Sequence, residues 1–416
     1  MKSVEVSKVS EMSKVSAAMA LNGKARTRFL LLLVLASSSP CMALMFTAVG
    51  PVLPGLAQHF ARGGDGAFAA QLIMTMPGIG IALGGLVTGW AVERLGARAL
   101  LLGSLLTYAL AGFAGFYVDA LSVLLFTRLL TGLAAAGCAT STLAIIAQRF
   151  EPEQRACILG YQSAAGSAVG LVSLLVAGGV GEAYGWRAPF FLYLLALPVL
   201  LVATAVVPAV RSQANAQRPP RQTGHNDRHP LLALLPVYLL IVLVFAAVFM
   251  NAVQLSFLLA QSGITSPGVQ SWVMATSALA CMVGAASYGR VRSWVGDRWI
   301  FCICLALMGG GYVLMGSSHL MMPMIVGCGI AAIGGGCVGP YLAVVLLDRA
   351  APSVRGRASG FMFTALYLGD FVNPLVVNPL RASFGIHQAF VLVGAILSFF
   401  ALVVLFRSAM LHRTSV

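Results

Sequence analysis

Apolar runs long enough to cross a bilayer follow one another along nearly the whole chain, separated by short polar breaks. A spanning helix needs about 20 consecutive, mostly apolar residues. Twelve segments meet that requirement, near 29–57, 68–92, 98–118, 121–148, 156–181, 187–209, 231–260, 268–289, 299–317, 321–347, 357–380 and 386–407. Most connections are only a few residues long. The exception is Arg211–Pro230, a polar stretch rich in Pro and Arg, which reads as a flexible linker. The expected fold class is an all-α membrane protein, with twelve transmembrane helices in two pseudo-symmetric six-helix bundles. The expected division is a cytoplasmic N-terminal tail over 1–27, bundles over 28–209 and 231–407, a cytoplasmic linker over 210–230 and a C-terminal tail over 408–416.

Two features of the pattern support this parse. The first is charge. With both termini in the cytoplasm, 22 of the 26 Lys and Arg residues fall on cytoplasmic segments. Only Arg62, Arg187 and Arg381 fall outside, and Arg128 lies within helix 4. An asymmetry of 22 to 3 is what the positive-inside rule expects of an inner-membrane protein with an even number of spans. The second is an internal repeat at an offset of 200. Gly84 pairs with Gly284, Gly89 with Gly289, Gly96 with Gly296 and Arg98 with Arg298. Pro152 pairs with Pro352, Arg155 with Arg355, Gly160 with Gly360, Gly185 with Gly385 and Phe190 with Phe390. These identities fall in the 2–3, 4–5 and 5–6 loops and their counterparts, in the same order. That is the pattern of two bundles related by an axis along the membrane normal.

Composition narrows the function. Of the 416 residues, 59% are hydrophobic and only 9% charged, against roughly 25% charged in soluble domains. Most of the surface must therefore face lipid. The net charge of +14 sits between apolar runs, so it marks topology and not a nucleic-acid partner. The Lys-containing start is not read as a signal peptide, because the apolar run from Phe29 is too long for one. The eight cysteines and six histidines show no metal-ligand spacing, so no metal and no cofactor is expected. No GxxxxGK[ST] loop occurs, which argues against direct drive by ATP. No nucleophile–base or HExxH arrangement appears in the spans, so no enzyme is expected.

The loop after helix 2 reads Gly89-Trp90-Ala91-Val92-Glu93-Arg94-Leu95-Gly96-Ala97-Arg98. It resembles the loop motif G-x-L-a-D-r-x-G-r-r of the major facilitator superfamily, matching at Gly89, Arg94, Gly96 and Arg98. It departs at Glu93, usually Asp, and at Ala97, often basic. The second copy, Gly289 to Arg298, lacks the acid. Arg128-Leu129-Leu130-Thr131-Gly132 is similar to the helix-4 pattern R-x-x-x-G. Helix 5 carries Gly170, Gly178 and Gly179 of the exporters' G-x-x-x-G-P-x-x-G-G, but Leu174 and Leu175 replace its central Gly-Pro. The resemblance covers about residues 28–407. It implies a twelve-helix secondary transporter that alternates access to a central cavity, acts as a monomer and touches small-molecule substrate, lipid and protons. Gly89, Glu93, Arg94, Gly96 and Arg98 would form a conformational latch, and Arg128 would serve proton coupling.

Asp370 is the only acid clearly inside a span, and a carboxyl there can exchange a proton during transport or simply hold packing beside Asn373. Met45, Phe46, Gln162, Asn251, Gln254, Phe257, Tyr341 and Asn373 are the candidate substrate-facing residues, an apolar and aromatic set suited to an amphiphile. The leading expectation is proton-coupled export by antiport of a drug-like or metabolite molecule. An importer or uniporter of a small metabolite, and a non-transporting sensor on a transporter-like body, remain open beside it.

Overall fold

The computed structural model describes residues 26–61, 64–207, 233–351 and 355–413. The linker over 210–230, Arg62, Pro352 and nearly all of both tails lie outside the described residues. All the described elements are helices. Twelve cross the molecule, numbered here in chain order. They are α1 (Ser38–Phe60, with helical turns from residue 26), α2 (Gly66–Leu95), α3 (Ala97–Phe113), α4 (Leu121–Arg149), α5 (Pro152–Tyr184) and α6 (Ala188–Val206). The second set is α7 (Leu235–Val253, continued by Leu255–Gln261), α8 (Pro267–Val295), α9 (Asp297–Gly316), α10 (Met321–Arg349), α11 (355–384) and α12 (386–413).

By length and apolarity eleven stretches could each cross a membrane, the last being 46 residues over Gly360–Leu405. That length is about twice a single crossing. Gly385 divides it, with a backbone at φ 81° that breaks the helix into α11 and α12. Helices are required here because lipid offers no partner for an unpaired backbone N–H or C=O.

The repeat is visible in geometry. Gly96 and Gly296 both turn the chain at φ 83° and 82°, and Gly185 and Gly385 at φ 85° and 81°. A side chain at these angles would be strained, so glycine is required at each turn. Helices α4 and α10 are each 29 residues long and begin exactly one repeat apart in the numbering, at Leu121 and Met321. In each bundle the even helices pack through small residues. A Cβ on Gly84 would strike Ala136, and one on Gly284 would strike the Ile333 carbonyl. Small residues are what lets helices approach this closely in a membrane, where no hydrophobic effect drives them together.

Two hydrophobic cores result. One joins buried residues from Val34 to Val207 and the other from Leu234 to Ala401; Val253 and Leu174 cross over, and Leu171, Leu175, Phe249 and Tyr367 pack half-buried against the opposite core. The first helix of each bundle is interrupted. In α1 the sequence Gly50-Pro51-Val52-Leu53-Pro54 forces a 3-10 turn over Gly50–Val52. In α7 the helix breaks at Phe249 and again at Gln254. Proline explains the first break, since it removes a backbone donor and clashes with the preceding turn. The breaks lie one repeat apart and face each other: the Ser256 hydroxyl donates to the Gly50 carbonyl at 2.7 Å.

Candidate functional site

The two bundles meet mainly along α2 against α11 and α5 against α8. These helices touch near the Gly185/Gly385 end and part near the Gly96/Gly296 end. A Cβ on Gly78 of α2 would lie 3.1 Å from both the Tyr367 carbonyl and Asp370 Oδ2 of α11. A Cβ on Gly178 of α5 would strike Ser271 of α8. Toward the other end, Gly85 and Gly89 of α2, Gly160 of α5, Gly289 of α8 and Gly360 of α11 have nothing within 4 Å.

Polar contacts follow the same division. Among the described residues, the hydrogen bonds and ion pair that join the bundles lie on the closed side. Gln71 Nε2 donates to Gln254 Oε1 at 3.0 Å, and Gln254 Nε2 donates to Asn373 Oδ1 at 3.0 Å. Asn373 Nδ2 donates in turn to the Ala246 carbonyl at 2.8 Å. Asp65 caps α2 by accepting from the Ala67 and Phe68 N–H groups. It also accepts from Asn378 Nδ2 at 3.0 Å and pairs with Arg381 at 3.4 Å. Burial pushes the Asp65 carboxyl up, but the Phe68 N–H, the Asn378 amide, the Arg381 charge and the Ala67 N–H outweigh it and hold it below its ordinary 3.8. Ser266 Oγ donates to Glu182 Oε1 at 2.9 Å.

Between the breaks in α1 and α7 lies a cavity of about 220 Å³. Phe46, Phe249, Met74, Met274, Asn251 and Ser277 are among its walls, and no charged side chain lines it. The Phe46 ring lies 6.2 Å from Phe249 and stacks on Tyr367 at 5.9 Å, so aromatic faces of both bundles meet here.

Of the substrate-facing candidates, Phe46 and Asn251 line this cavity. Gln254 and Asn373 lie in the amide chain to Gln71. Phe257 packs beneath the Arg381 guanidinium at 5.2 Å. Met45 is buried in the N-terminal core, where its carbonyl accepts from Tyr193. Gln162 donates to Leu35 O and Ser38 Oγ of α1. Tyr341 stacks on Phe301 at 5.0 Å, within the C-terminal bundle.

The two charges inside spans sit differently. Asp370 is fully buried, and neither carboxyl oxygen has a hydrogen-bond partner among the described residues. Arg128 is also fully buried but lies inside the N-terminal bundle, away from the cavity wall. Its Nη2 donates to the Ala111 and Gly112 carbonyls at the end of α3, at 2.9 and 2.6 Å. A cation is favoured there by the α3 dipole. The guanidinium also lies 5.0 and 4.9 Å from the Phe190 and Tyr193 rings, a cation–π cage.

The loop residues sit at the open end. Gly96 makes the turn, Arg98 Nη2 donates to the Thr204 carbonyl of its own bundle at 2.9 Å, and Arg94 lies 4.4 Å over the Trp90 ring. Glu93 is exposed, and Gly89 meets nothing. Among the described residues none of the five reaches the other bundle.

A model of the Major Facilitator Superfamily matches residues 35–265 and 237–414. The chain belongs to that family. It is a membrane transporter built on the family fold, and not an enzyme. The multi-drug resistance efflux pump PmrA of Streptococcus pneumoniae is 23% identical over 353 residues, 82% of this chain and 87% of that protein. Multidrug resistance protein 2 of Bacillus subtilis is 22% identical over 365 residues, with 83% and 87% covered. A further relative, Multidrug resistance protein 3 of Bacillus subtilis, is 28% identical over 146 residues, but the match spans only 28% of its length. The crystal structure of the nucleoside transporter NupG superposes with a TM-score of 0.71 at 14% identity, over 90% of this chain and 99% of that one. That of a D-xylose-proton symporter gives 0.72 at 15% identity, over 90% and 97%. At such identities these two show the fold alone.

Sequence reasoning missed Asp65, Gln71, Gly78, Ser256, Tyr367 and the pairing role of Arg381. Asp65 had a signal, an acid directly before an apolar run, which is a helix N-cap pattern. So did the break in α1, through Pro51 and Pro54. The others carry no signal in a single sequence, because their partners lie in the other bundle.

Proposed function

We propose that this transporter exports a small organic amphiphile across the cytoplasmic membrane in exchange for protons, and that Asp370 carries the proton. The observation that carries this reading is the Asp370 carboxyl itself. It is buried at the α2–α11 contact with no partner, and an ionised carboxylate so placed would cost several kcal/mol. The proton it holds is released when α2 and α11 separate and water reaches it. The uncharged, aromatic cavity and the multidrug names of the relatives support an amphiphilic cargo. Arg128 acts in coupling as a fixed charge that shapes the field inside the N-terminal bundle.

The distribution of Lys and Arg supports cytoplasmic termini and a cytoplasmic linker over 210–230. In that orientation the Gly96/Gly296 end faces the cytoplasm, so the conformation described is open inward. Gly89, Glu93, Arg94, Gly96 and Arg98 then form a latch that is disengaged here and closes against the other bundle when the molecule opens outward. Each bundle, 28–209 and 231–407, moves as one body of a monomer.

The test uses inverted vesicles and a fluorescent amphiphile. An imposed proton gradient should drive uptake, and a protonophore should abolish it. Asp370→Asn should lose gradient-driven accumulation while retaining dye exchange at equal concentrations. Uptake that ignores the protonophore would overturn proton coupling, and uptake only into right-side-out vesicles would overturn export.

A further inference from the structure

The central cavity has a chemical preference of its own, and drawing it rests on the transport reading above. Its volume of about 220 Å³ is below the roughly 300–1,000 Å³ of pockets for drug-sized ligands. It therefore fits one compact ring system. The Phe46 and Phe249 faces, with the Met74 and Met274 thioethers, favour an aromatic ring. With no charge on the wall, an ionic group would be desolvated without compensation.

The polar atoms of the wall are nearly all committed. The Thr47 hydroxyl donates to the Ala43 carbonyl and meets Ser173, and the Tyr312 hydroxyl donates to the Ala247 carbonyl. Asn251 is the exception. Its side chain is 9% exposed, and its Nδ2 donates to Ser277 Oγ at 3.1 Å and to the Cys328 carbonyl at 3.5 Å. A carbonyl can only accept, so the amide group is the one placed toward Cys328. Asn251 Oδ1 is left buried, with no partner among the described residues, so a donor in the cavity reaches it as the Asn251 side chain turns toward the cavity. A lone acceptor of this kind costs free energy until a donor arrives.

We propose that the cavity selects an uncharged, single aromatic ring system bearing one N–H or O–H donor, which Asn251 Oδ1 accepts while the ring packs against Phe46 and Phe249. Asn251 is then the residue that sets specificity. A site built to hydrogen-bond a ligand rejects the analogue that lacks the donor, because its own polar group stays unpaired.

The probes are 3-methylindole and 1-methylindole. They have the same size and apolarity, but only the first keeps its N–H. Equilibrium binding of each to the purified full chain is measured by calorimetry, with no gradient present. Wild type should bind 3-methylindole about tenfold tighter than 1-methylindole. Asn251→Leu should bring the two affinities together by weakening 3-methylindole alone. The proposal is overturned if wild type binds the isomers equally, if neither binds at millimolar concentration, or if the gap persists in Asn251→Leu. Equal binding of the isomers by wild type overturns the proposal even where that variant fails to fold. Flux that ignores the proton gradient alongside an intact isomer gap would overturn the coupling reading and leave this one standing.

Discussion

Placing a side chain at Gly78 should push the transporter out of the conformation described. The ideal Cβ position at Gly78 lies 3.1 Å from Asp370 Oδ2 and 3.1 Å from the Tyr367 carbonyl. At that distance alanine requires a shift of only a few tenths of an ångström. Asp370 Oδ2 can turn aside, and the Tyr367 carbonyl gives those tenths only as the α11 backbone moves with it, which alanine allows and a longer side chain does not. Leucine adds three more carbons in the same direction, and overpacking of this kind costs about 1–3 kcal/mol. That cost applies only where α2 and α11 touch, so it falls on the closed-end conformation and spares the alternative. A cost of about 2 kcal/mol changes the ratio of the two conformations about 30-fold. Spin labels on the exposed residues Tyr161 and Phe361, one in each bundle toward the open end, report the change by double electron–electron resonance. The distance distribution should move to shorter values in Gly78→Leu and hardly at all in Gly78→Ala. A folded Gly78→Leu protein with the wild-type distribution would refute the assignment of α2–α11 contact as the closed gate.

Three further outcomes follow from the site. Arg128→Met should lower stability by about 1–3 kcal/mol in thermal unfolding, because the Ala111 and Gly112 carbonyls lose their donor; proton-driven transport should fall at least about tenfold in the protein that still folds if the fixed charge serves coupling. The Asp65 clasp should be indifferent to physiological pH. Its carboxyl is held below 3.8, so the contribution is complete above that value and is lost only as pH falls through the lowered one. Between about pH 5 and 8 the spin-label distances should therefore not change on account of Asp65. Tyr193→Phe, which removes the hydroxyl bonded to the Met45 carbonyl at 3.2 Å but keeps the ring under Arg128, should cost about 1 kcal/mol in stability and leave transport intact, as read by thermal unfolding and vesicle uptake.

The spans were legible because lipid imposes a length and an apolarity that few other structures share. The repeat was legible because four turns demand glycine at positive φ, and Gly96, Gly185, Gly296 and Gly385 keep their spacing for that reason. Helix ends moved by a few residues: α5 begins at Pro152 and not 156, and α8 runs to Val295 and not 289. The individual site residues were harder to read. In a helix that is apolar all round, periodicity does not say which face is inside. Phe46 and Met45 are neighbours, yet one faces the cavity and the other the core of its own bundle. Gln254 and Asn373 look like free polar groups in the sequence, but a partner 119 residues away commits one to the other.

The same four helices decide both where the molecule is closed and where it can open. α2, α5, α8 and α11 carry glycines along their length, and on the closed side Gly78, Gly178 and Gly268 are each met by atoms of the other bundle. Toward the open end Gly85, Gly89, Gly160, Gly289 and Gly360 face empty space, although nothing in their own backbone conformation requires glycine. Glycine in a helix interior costs about 1 kcal/mol relative to alanine. Five such positions on contact-forming helices are therefore unexplained by this conformation alone. They are explained if the open faces are themselves contact surfaces in a second conformation, where α2 meets α11 and α5 meets α8 at the Gly96/Gly296 end. The bundles then exchange one glycine-lined contact for its counterpart about the breaks in α1 and α7. The ring-lined cavity lies at those breaks, the level where such a rocking motion moves the backbone least.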